Sequence, residues 1–383
     1  MAKKIDRIDS VETLEAKLAE MRTAAAVYSK FTQEQVDEIC KQAAMAADKA
    51  RIPLAKMAQA ETGMGVVEDK VIKNNYASEH VHNYFRHVRT CGVIEEDKAF
   101  GTKRIAEPVG IVGAVTPTTN PTSTCIFKIL ICLKTRNAIL ISPHPTAKRC
   151  TIEAARIMKE AAEKAGLPEN IICWMDESSI EMTQVMMREV NLILATGGAG
   201  MVKAAYSSGT PAIGVGPGNC NVIFDDSCDI KNAVSSTIHS KTFDNGMICA
   251  AEQHVTVLDS IYDKVKKEFQ DNRCYFLNQE EAVKIGEVFF NAATHGVKAT
   301  AVGRSPAQLA AMAGIQIPEG TKVLIAETDD LSHDNPWANE KLCPVLGMYR
   351  AKTFEQALDI CYKLVSEGGA GHSGALYVDP TER

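Results

Sequence analysis

The sequence predicts an α/β protein in which a parallel sheet is covered by helices on both faces and a second α/β unit follows along the chain. Three observations carry this. After the apolar run "GIVGAV", runs of strand length alternate with amphipathic helical segments: "NAILISP" precedes "AKRCTIEAARIMKEAAEKAG", "NIICWMD" precedes "IEMTQVMMREV", and "NLILATGG" precedes "AGMVKAAYSSG". Short apolar strands alternating with helices give βαβ units and a sheet buried on both faces. The first ninety residues read as helices instead, and after residue 225 the alternation begins again with the helix "CDIKNAVSSTIHSKTF". The expected domains are therefore 1–225 and 226–383.

In chain order, "SVETLEAKLAEMRTAAAVYSKF" has helical periodicity and few breakers. A second helix opens at Thr32, with Gln35 at the spacing of a capping box. "RIPLAKMAQAETGMG" forms a third, ending near Gly63 and Gly65. "EDKVIKNNYASEHVHNYFRH" forms a fourth. "TKRIAEPVGIVGAVTPTTNP" then brings short β-type runs cut by Pro and Gly, and "GALYVDPTER" reads as a strand and a turn.

The chain of 383 residues is 45% hydrophobic and 23% charged, with a net charge of −6, so a large core is expected and no basic patch points to nucleic acid. It has no run of about 18 apolar residues, so no membrane span is expected. "MAKKIDRIDSVETLEAK" has no apolar signal region, so no secretory leader is expected and a cytoplasmic placement follows. The twelve cysteines never form C-x-x-C, which argues against a zinc knuckle or a thioredoxin motif. Each is most simply a small buried thiol. His80 and His82 are two apart on a helix and point to different sides, and with His87 they make no metal pair; no metal site is expected.

Four features stand out against that background. In "ILATGGAGMVKAA" a strand runs through Thr196, Gly197 and Gly198 into a helix, which suits a phosphate at the helix N-terminus and equally suits a plain turn. "GVGPGN", residues 214–219 and including Gly216, cannot form a helix or a central strand; it permits a close backbone approach or is a surface turn. Asn120 stands between a strand and a helix, placed to donate to an oxyanion or to cap the helix. Cys249, in "FDNGMICAAEQ", follows Asn245-Gly246 and adjoins an expected helix start, a setting that activates a thiol.

Together, in this order and spacing, these features resemble the aldehyde dehydrogenase superfamily over essentially the whole chain. The segment "EKLCPV" with Glu340 completes the set. Within the superfamily, "ARIPLAKMAQAETGMGVVEDKVIKNNYASEH", "PTTNPTST", "LKTRNAI" and "SKTFDNGMICAAEQ" look like the acylating acetaldehyde dehydrogenase part of bifunctional aldehyde-alcohol dehydrogenases. The resemblance implies a Rossmann-type NAD-binding domain over 1–225, with an oligomerisation-type β segment near 92–108, and a catalytic domain over 226–383. Relatives continue past a strand like "SGALYV", so that catalytic domain is expected to be incomplete. Cys249 is then the nucleophile. Asn120 and the backbone N–H of Cys249 hold the oxyanion. Thr196, Gly197, Gly198 and Gly216 line the cofactor, Glu340 binds the nicotinamide ribose, and His372 in "GGAGHSGALY" serves acyl transfer.

Two departures sharpen this. Hydrolytic members carry a Glu in the glycine loop that activates water; here the aligned residue is Gly214. Without that base, coenzyme A competes well for the thioester. Many members carry a Lys before Pro to hold the adenosine ribose; here Ser142 and Pro143 stand there. The implied chemistry is NAD-dependent, coenzyme A-acylating interconversion of acetaldehyde and acetyl-CoA, a fermentative reaction. The alternatives are an acylating dehydrogenase of another short aldehyde, or a catalytically weak fragment or filament scaffold. A homo-oligomer or filament is the assembly that the resemblance implies.

Overall fold

The computed structural model describes residues 7–381, which divide into two compact units. The first contains the residues up to Gly63 and Val67–Gly216; the second contains Met64–Val66 and the chain from Pro217 onward.

The first unit opens with helices α1 (Val11–Tyr28), α2 (Gln33–Lys49), α3 (Arg51–Thr62), α4 (Val67–Asn75) and α5 (Val81–Phe85). The expected capping box at α2 is present: the Thr32 hydroxyl accepts from the Gln35 N–H and the Gln35 side chain accepts from the Thr32 N–H. Helix α3 ends on Gly63 with φ +66°. The expected fourth helix is divided: one π-helical turn, Tyr76–His80, separates α4 from α5. The hairpin β1 (Gly92–Asp97) and β2 (Thr102–Ala106) carries cross-strand pairs Arg104–Glu95 and Lys103–Glu96, while Phe100 and Ile105 are exposed.

The alternating segment follows as β3 (Ile111–Val115), α6 (Pro121–Lys134), β4 (Ala138–Ser142), α7 (Lys148–Lys164), β5 (Ile172–Trp174), α8 (Ile180–Glu189), β6 (Leu192–Thr196), α9 (Ala199–Tyr206) and β7 (Ala212–Val215). The strands form a wholly parallel sheet in the order β5-β4-β3-β6-β7. Every residue of β3 and β4 is buried, as strands covered on both faces require. The order reverses at β3, so the carboxyl ends of β3 and β6 flank the switch point where such sheets bind ligands. The buried Lys128 of α6 ties these two strands together there, its Nζ donating to the carbonyls of Val115 and Leu194, both at 2.7 Å.

The second unit contains β8 (Asn221–Phe224), α10 (Ile230–Thr242), β9 (His254–Leu258), α11 (Tyr262–Asp271), β10 (Cys274–Phe276), α12 (Gln279–Phe289), the short pair β11 (Phe290–Asn291) and β12 (Gly296–Val297), α13 (Pro306–Ala313), β13 (Val323–Glu327), β14 (Val345–Ala351), α14 (Phe354–Gly368) and β15 (Gly374–Tyr377). Its six-stranded sheet runs β10-β13-β14-β9-β8-β15, again all parallel. The boundary expected at 225/226 falls just after β8, a strand of this second sheet. Among the described residues no helix is long and apolar enough to cross a membrane.

Burial pushes the Lys128 ammonium down to about 7, against weak opposition from Cys132 and Cys125. The unfolded chain then binds more protons than the folded one between pH 7 and about 10.5, so this group adds stability as pH rises through that window. The melting temperature of the parent minus that of Lys128→Met is therefore expected to grow from pH 6 to pH 9. A difference that is flat or falls with pH would contradict a neutral buried amine.

Candidate active site

The loop that carries Cys249 is built from an unusual backbone. Asp244 and Asn245 have φ of 48° and 53°, and Gly246 has 70°, so three consecutive residues lie in the left-handed region. Asp and Asn are the residues beside Gly that tolerate it best. Second-unit contacts hold the turn. The Asp244 carboxylate accepts from the Val66 N–H at 2.7 Å, and the Asn245 amide donates to the Gly303 carbonyl at 2.9 Å. The Gly65 N–H donates to the same carbonyl at 3.2 Å, and the Gly303 N–H donates to the Leu342 carbonyl at 2.9 Å. The fit is close: a Cβ on Gly303 would lie 2.6 Å from the Met247 sulfur, and one on Gly246 would lie 2.8 Å from the Cys343 carbonyl.

Cys249 does not adjoin a helix. It lies half-buried in a turn, and the chain passes through Gln253 directly into β9. The run "CAAEQ" has helical propensity but is too short to nucleate a helix. Tertiary bonds take it instead: the Gln253 N–H donates to the Cys220 carbonyl at 2.8 Å, and its side-chain amide donates to the Ala251 carbonyl at 3.0 Å. The expected activation by a helix N-terminus is therefore absent.

The structure gathers several of the sequence candidates around Gly218. Its N–H donates to Glu340 Oε1 at 2.8 Å. A Cβ there would collide with the Cys249 carbonyl oxygen and lie 3.0 Å from His372 Nε2. Gly218, rather than Gly216, is thus the residue on which the Cys249 loop, Glu340 and His372 converge; the third glycine of "GVGPGN" was its only signal in the sequence. Cys220 also belongs to the cluster. Its thiol, pushed up to about 12 by burial, lies 3.2 Å from the Cys249 carbonyl and 3.4 Å from His372 Nδ1. That thiol stays protonated and inert.

His372 is held below the usual histidine range by burial and is neutral near pH 7. Its Nδ1 accepts from the Ser373 N–H at 2.8 Å, which places the proton on Nε2. In that tautomer Nε2 donates a hydrogen bond and does not take a proton. Burial pushes Glu340 up to about 7, opposed by the Gly218 N–H and by Lys241 and Lys341. Those two lysines are fully buried and meet at Gln253, whose Oε1 accepts from Lys241 Nζ at 2.9 Å and from the Lys341 N–H at 3.0 Å. Burial lowers both: Lys241 to about 8 and Lys341 well below its ordinary value.

The first unit presents its candidates separately. Asn120 occupies the position before α6, but its side chain makes no cap bond. Its Oδ1 accepts from Lys73 Nζ at 2.6 Å, and its Nδ2 donates to Thr119 Oγ1 at 3.1 Å. Thr196 ends β6, and Gly198 precedes α9 without a side-chain cap. A Cβ on Gly198 or Gly200 would meet nothing within 4 Å, so the backbone at the start of α9 is open to a close approach. This fits a dinucleotide pyrophosphate. Ser142 and Pro143 are buried, and the Ser142 hydroxyl is bonded to Thr183 Oγ1 at 3.3 Å. The groups exposed at that strand end are His144, Pro145 and Thr146. At Gly214, in the edge strand β7, a Cβ would lie 2.7 Å from Val202 and 2.9 Å from Tyr206, whose hydroxyl also bonds the Gly214 backbone. The position lacks a carboxylate and its space is filled.

The sequence profile described as the aldehyde dehydrogenase family matches residues 4–364. An aldehyde-alcohol dehydrogenase of Clostridium acetobutylicum is 53% identical over 373 residues, which are 97% of this chain and 43% of that protein. The chain thus spans less than half the length of that relative. The solved structure of an acetylating aldehyde dehydrogenase from Geobacillus thermoglucosidasius superposes with a TM-score of 0.94 at 44% identity, covering 97% of this chain and 82% of that one. A propionaldehyde dehydrogenase from Rhodopseudomonas palustris, solved with bound coenzyme A and an acylated cysteine, superposes with a TM-score of 0.86 at 25% identity over 99% of this chain and 85% of that one.

Alanine at the two loop glycines separates their roles. Gly218→Ala should lose roughly 1–3 kcal/mol of stability by overpacking and change the alkylation rate of Cys249. Gly216→Ala, whose Cβ would meet only Val202 at 3.8 Å, should keep its stability. Denaturant titration and iodoacetamide labelling check both, and equal stability of the two variants would refute the convergence on Gly218.

Proposed function

The chain belongs to the aldehyde dehydrogenase family, and from that premise we propose that it interconverts acetaldehyde and acetyl-CoA through a thioester on Cys249. The observation that carries this reading is that the chain has a thiol just past a turn of three left-handed residues and, at Gly214 in β7, a position with neither the water-activating carboxylate nor the room for one. In the proposed reaction the Cys249 thiolate attacks the aldehyde carbonyl and forms a C–S bond, leaving an alkoxide. The Asn120 amide and the Cys249 N–H donate to that oxygen. Bound NAD supplies the hydride acceptor, and Thr196, Gly197, Gly198, Gly216 and Glu340 are the residues proposed to hold it. The buried Ser142 and Pro143 shape the strand end, with His144 and Thr146 outermost. The thioester then meets coenzyme A, whose thiolate attacks the acyl carbon and expels the Cys249 sulfur. His372, with its proton on Nε2, is suited to hold that incoming anionic sulfur.

Loss of the water-activating base favours the thiol because sulfur is the better nucleophile toward a thioester, whereas water needs general-base help worth roughly 10²–10⁴-fold. The exposed apolar side chains of the β1–β2 hairpin suit a segment that is covered by another copy, so a homo-oligomer is part of the proposal.

The test is NADH formation from acetaldehyde and NAD, followed by absorbance. A rate that depends strongly on coenzyme A, and disappears in a folded Cys249→Ser variant, is expected. Equal rates with and without coenzyme A would show that water deacylates the enzyme and would refute the acylating reading.

A further inference from the structure

We infer that Lys73 is a positioning residue that fixes the orientation of the Asn120 amide, an inference that rests on the oxyanion role proposed above for Asn120. Lys73, Asn120 and the residues they bond all belong to the first unit. An Asn side chain can turn its amide over at little intrinsic cost, and the two orientations have opposite consequences. One presents N–H to a developing oxyanion; the other presents a lone pair and repels it. Something must choose.

Lys73 makes the choice. Its ammonium has donors and no acceptor. At 2.6 Å it can face only Oδ1, so Nδ2 must point the other way. One Nδ2 hydrogen goes to Thr119 Oγ1 at 3.1 Å, and the described residues supply no partner for the second. The neighbouring residue of α4 fixes the frame: Asn74 is buried, its Oδ1 accepts from Thr122 Oγ1 at 2.8 Å, and its Nδ2 donates to the Arg51 carbonyl at 3.0 Å. Two consecutive residues of α4 therefore grip the start of α6, one on Asn120 and one on Thr122. The π-helical turn at Tyr76–His80 begins immediately after this grip. Such turns recur at functional sites.

A purely structural role explains the contact poorly. A cation beside a helix N-terminus opposes the helix dipole by about 0.3–1 kcal/mol. A neutral donor would anchor the helix better. The positive charge is useful if an anion forms on the far side of the amide, because it polarises the N–H groups toward that anion.

The experiment uses p-nitrophenyl acetate, which acylates a reactive thiol without NAD: the Cys249 sulfur bonds the acyl carbon, the ester C–O bond breaks, and p-nitrophenolate leaves. Burst rates and melting temperatures are compared for the parent, Lys73→Met and Lys73→Arg. We expect Lys73→Met to lose roughly 10-fold or more in burst rate, a fraction of the 10²–10³ that one oxyanion donor contributes. Its melting temperature should be unchanged or higher. Lys73→Arg, also donor-only, should recover much of the rate. A Lys73→Met rate within twofold of the parent, or a rate loss matched by a loss of melting temperature and not recovered by Arg, would overturn the role of Lys73 and leave the reading of Cys249 standing. A parent with no burst that depends on Cys249 would overturn both.

Discussion

Three consecutive left-handed residues, Asp244, Asn245 and Gly246, set the course of the chain into Cys249, and Gly65, Val66, Gly303 and Cys343 bond them or pack against them. Two of the three are not glycine, and each such residue costs on the order of 1–2 kcal/mol relative to ordinary backbone. A free loop would relax. This one is closed by the Val66 N–H on Asp244, by the Asn245 amide on Gly303, and by Gly65 and Gly303 packing where no side chain fits. Gly303 then bonds Leu342, itself left-handed at φ 43°, which lies two residues from Glu340. The thiol loop and the ribose-binding candidate are thus braced by the same short strap.

Below that strap lie several buried ionisable groups. Lys241 and Lys341 are fully enclosed and share Gln253, the residue through which the Cys249 turn passes into β9. Buried amines are costly to keep charged, and both are pushed toward neutrality. Glu340, a carboxylate at the convergence point, is pushed up in pKa where the lysines are pushed down, which for an acid is again toward neutrality. Each group is more neutral than it would be in water, which spares this small volume several desolvated charges at once. Cys220 follows the same rule, a thiol kept protonated next to the one proposed to react.

Much of the first unit was legible in the sequence because its signals are local. "GIVGAV", "NAILISP" and "NLILATGG" become β3, β4 and β6, and the Thr32–Gln35 box and the Gly63 stop act where they stand. The absence of a carboxylate at Gly214 was equally plain, but the occupation of its space by Val202 and Tyr206 was not. What escaped was decided by distant residues. The "CAAEQ" run reads as a helix start, yet Gln253 is claimed by Cys220 and by two lysines. Asn120 reads as a cap, yet its amide is claimed by Lys73, 47 positions away. Ser142 reads as a nucleotide contact, yet its hydroxyl faces Thr183. In each case a hydrogen bond across the fold outweighed a local preference of a fraction of a kcal/mol.

In the proposed reaction Cys249, and no other of the twelve cysteines, carries the acyl group. The most direct measurement is mass spectrometry of the protein quenched after brief incubation with acetyl-CoA alone, followed by peptide mapping under conditions that preserve thioesters. A single acetyl group on the peptide containing Cys249, absent from Cys249→Ser, is the predicted result. An acetyl group on Cys220 or elsewhere, or none on a folded protein, would rule out Cys249 as the acyl carrier.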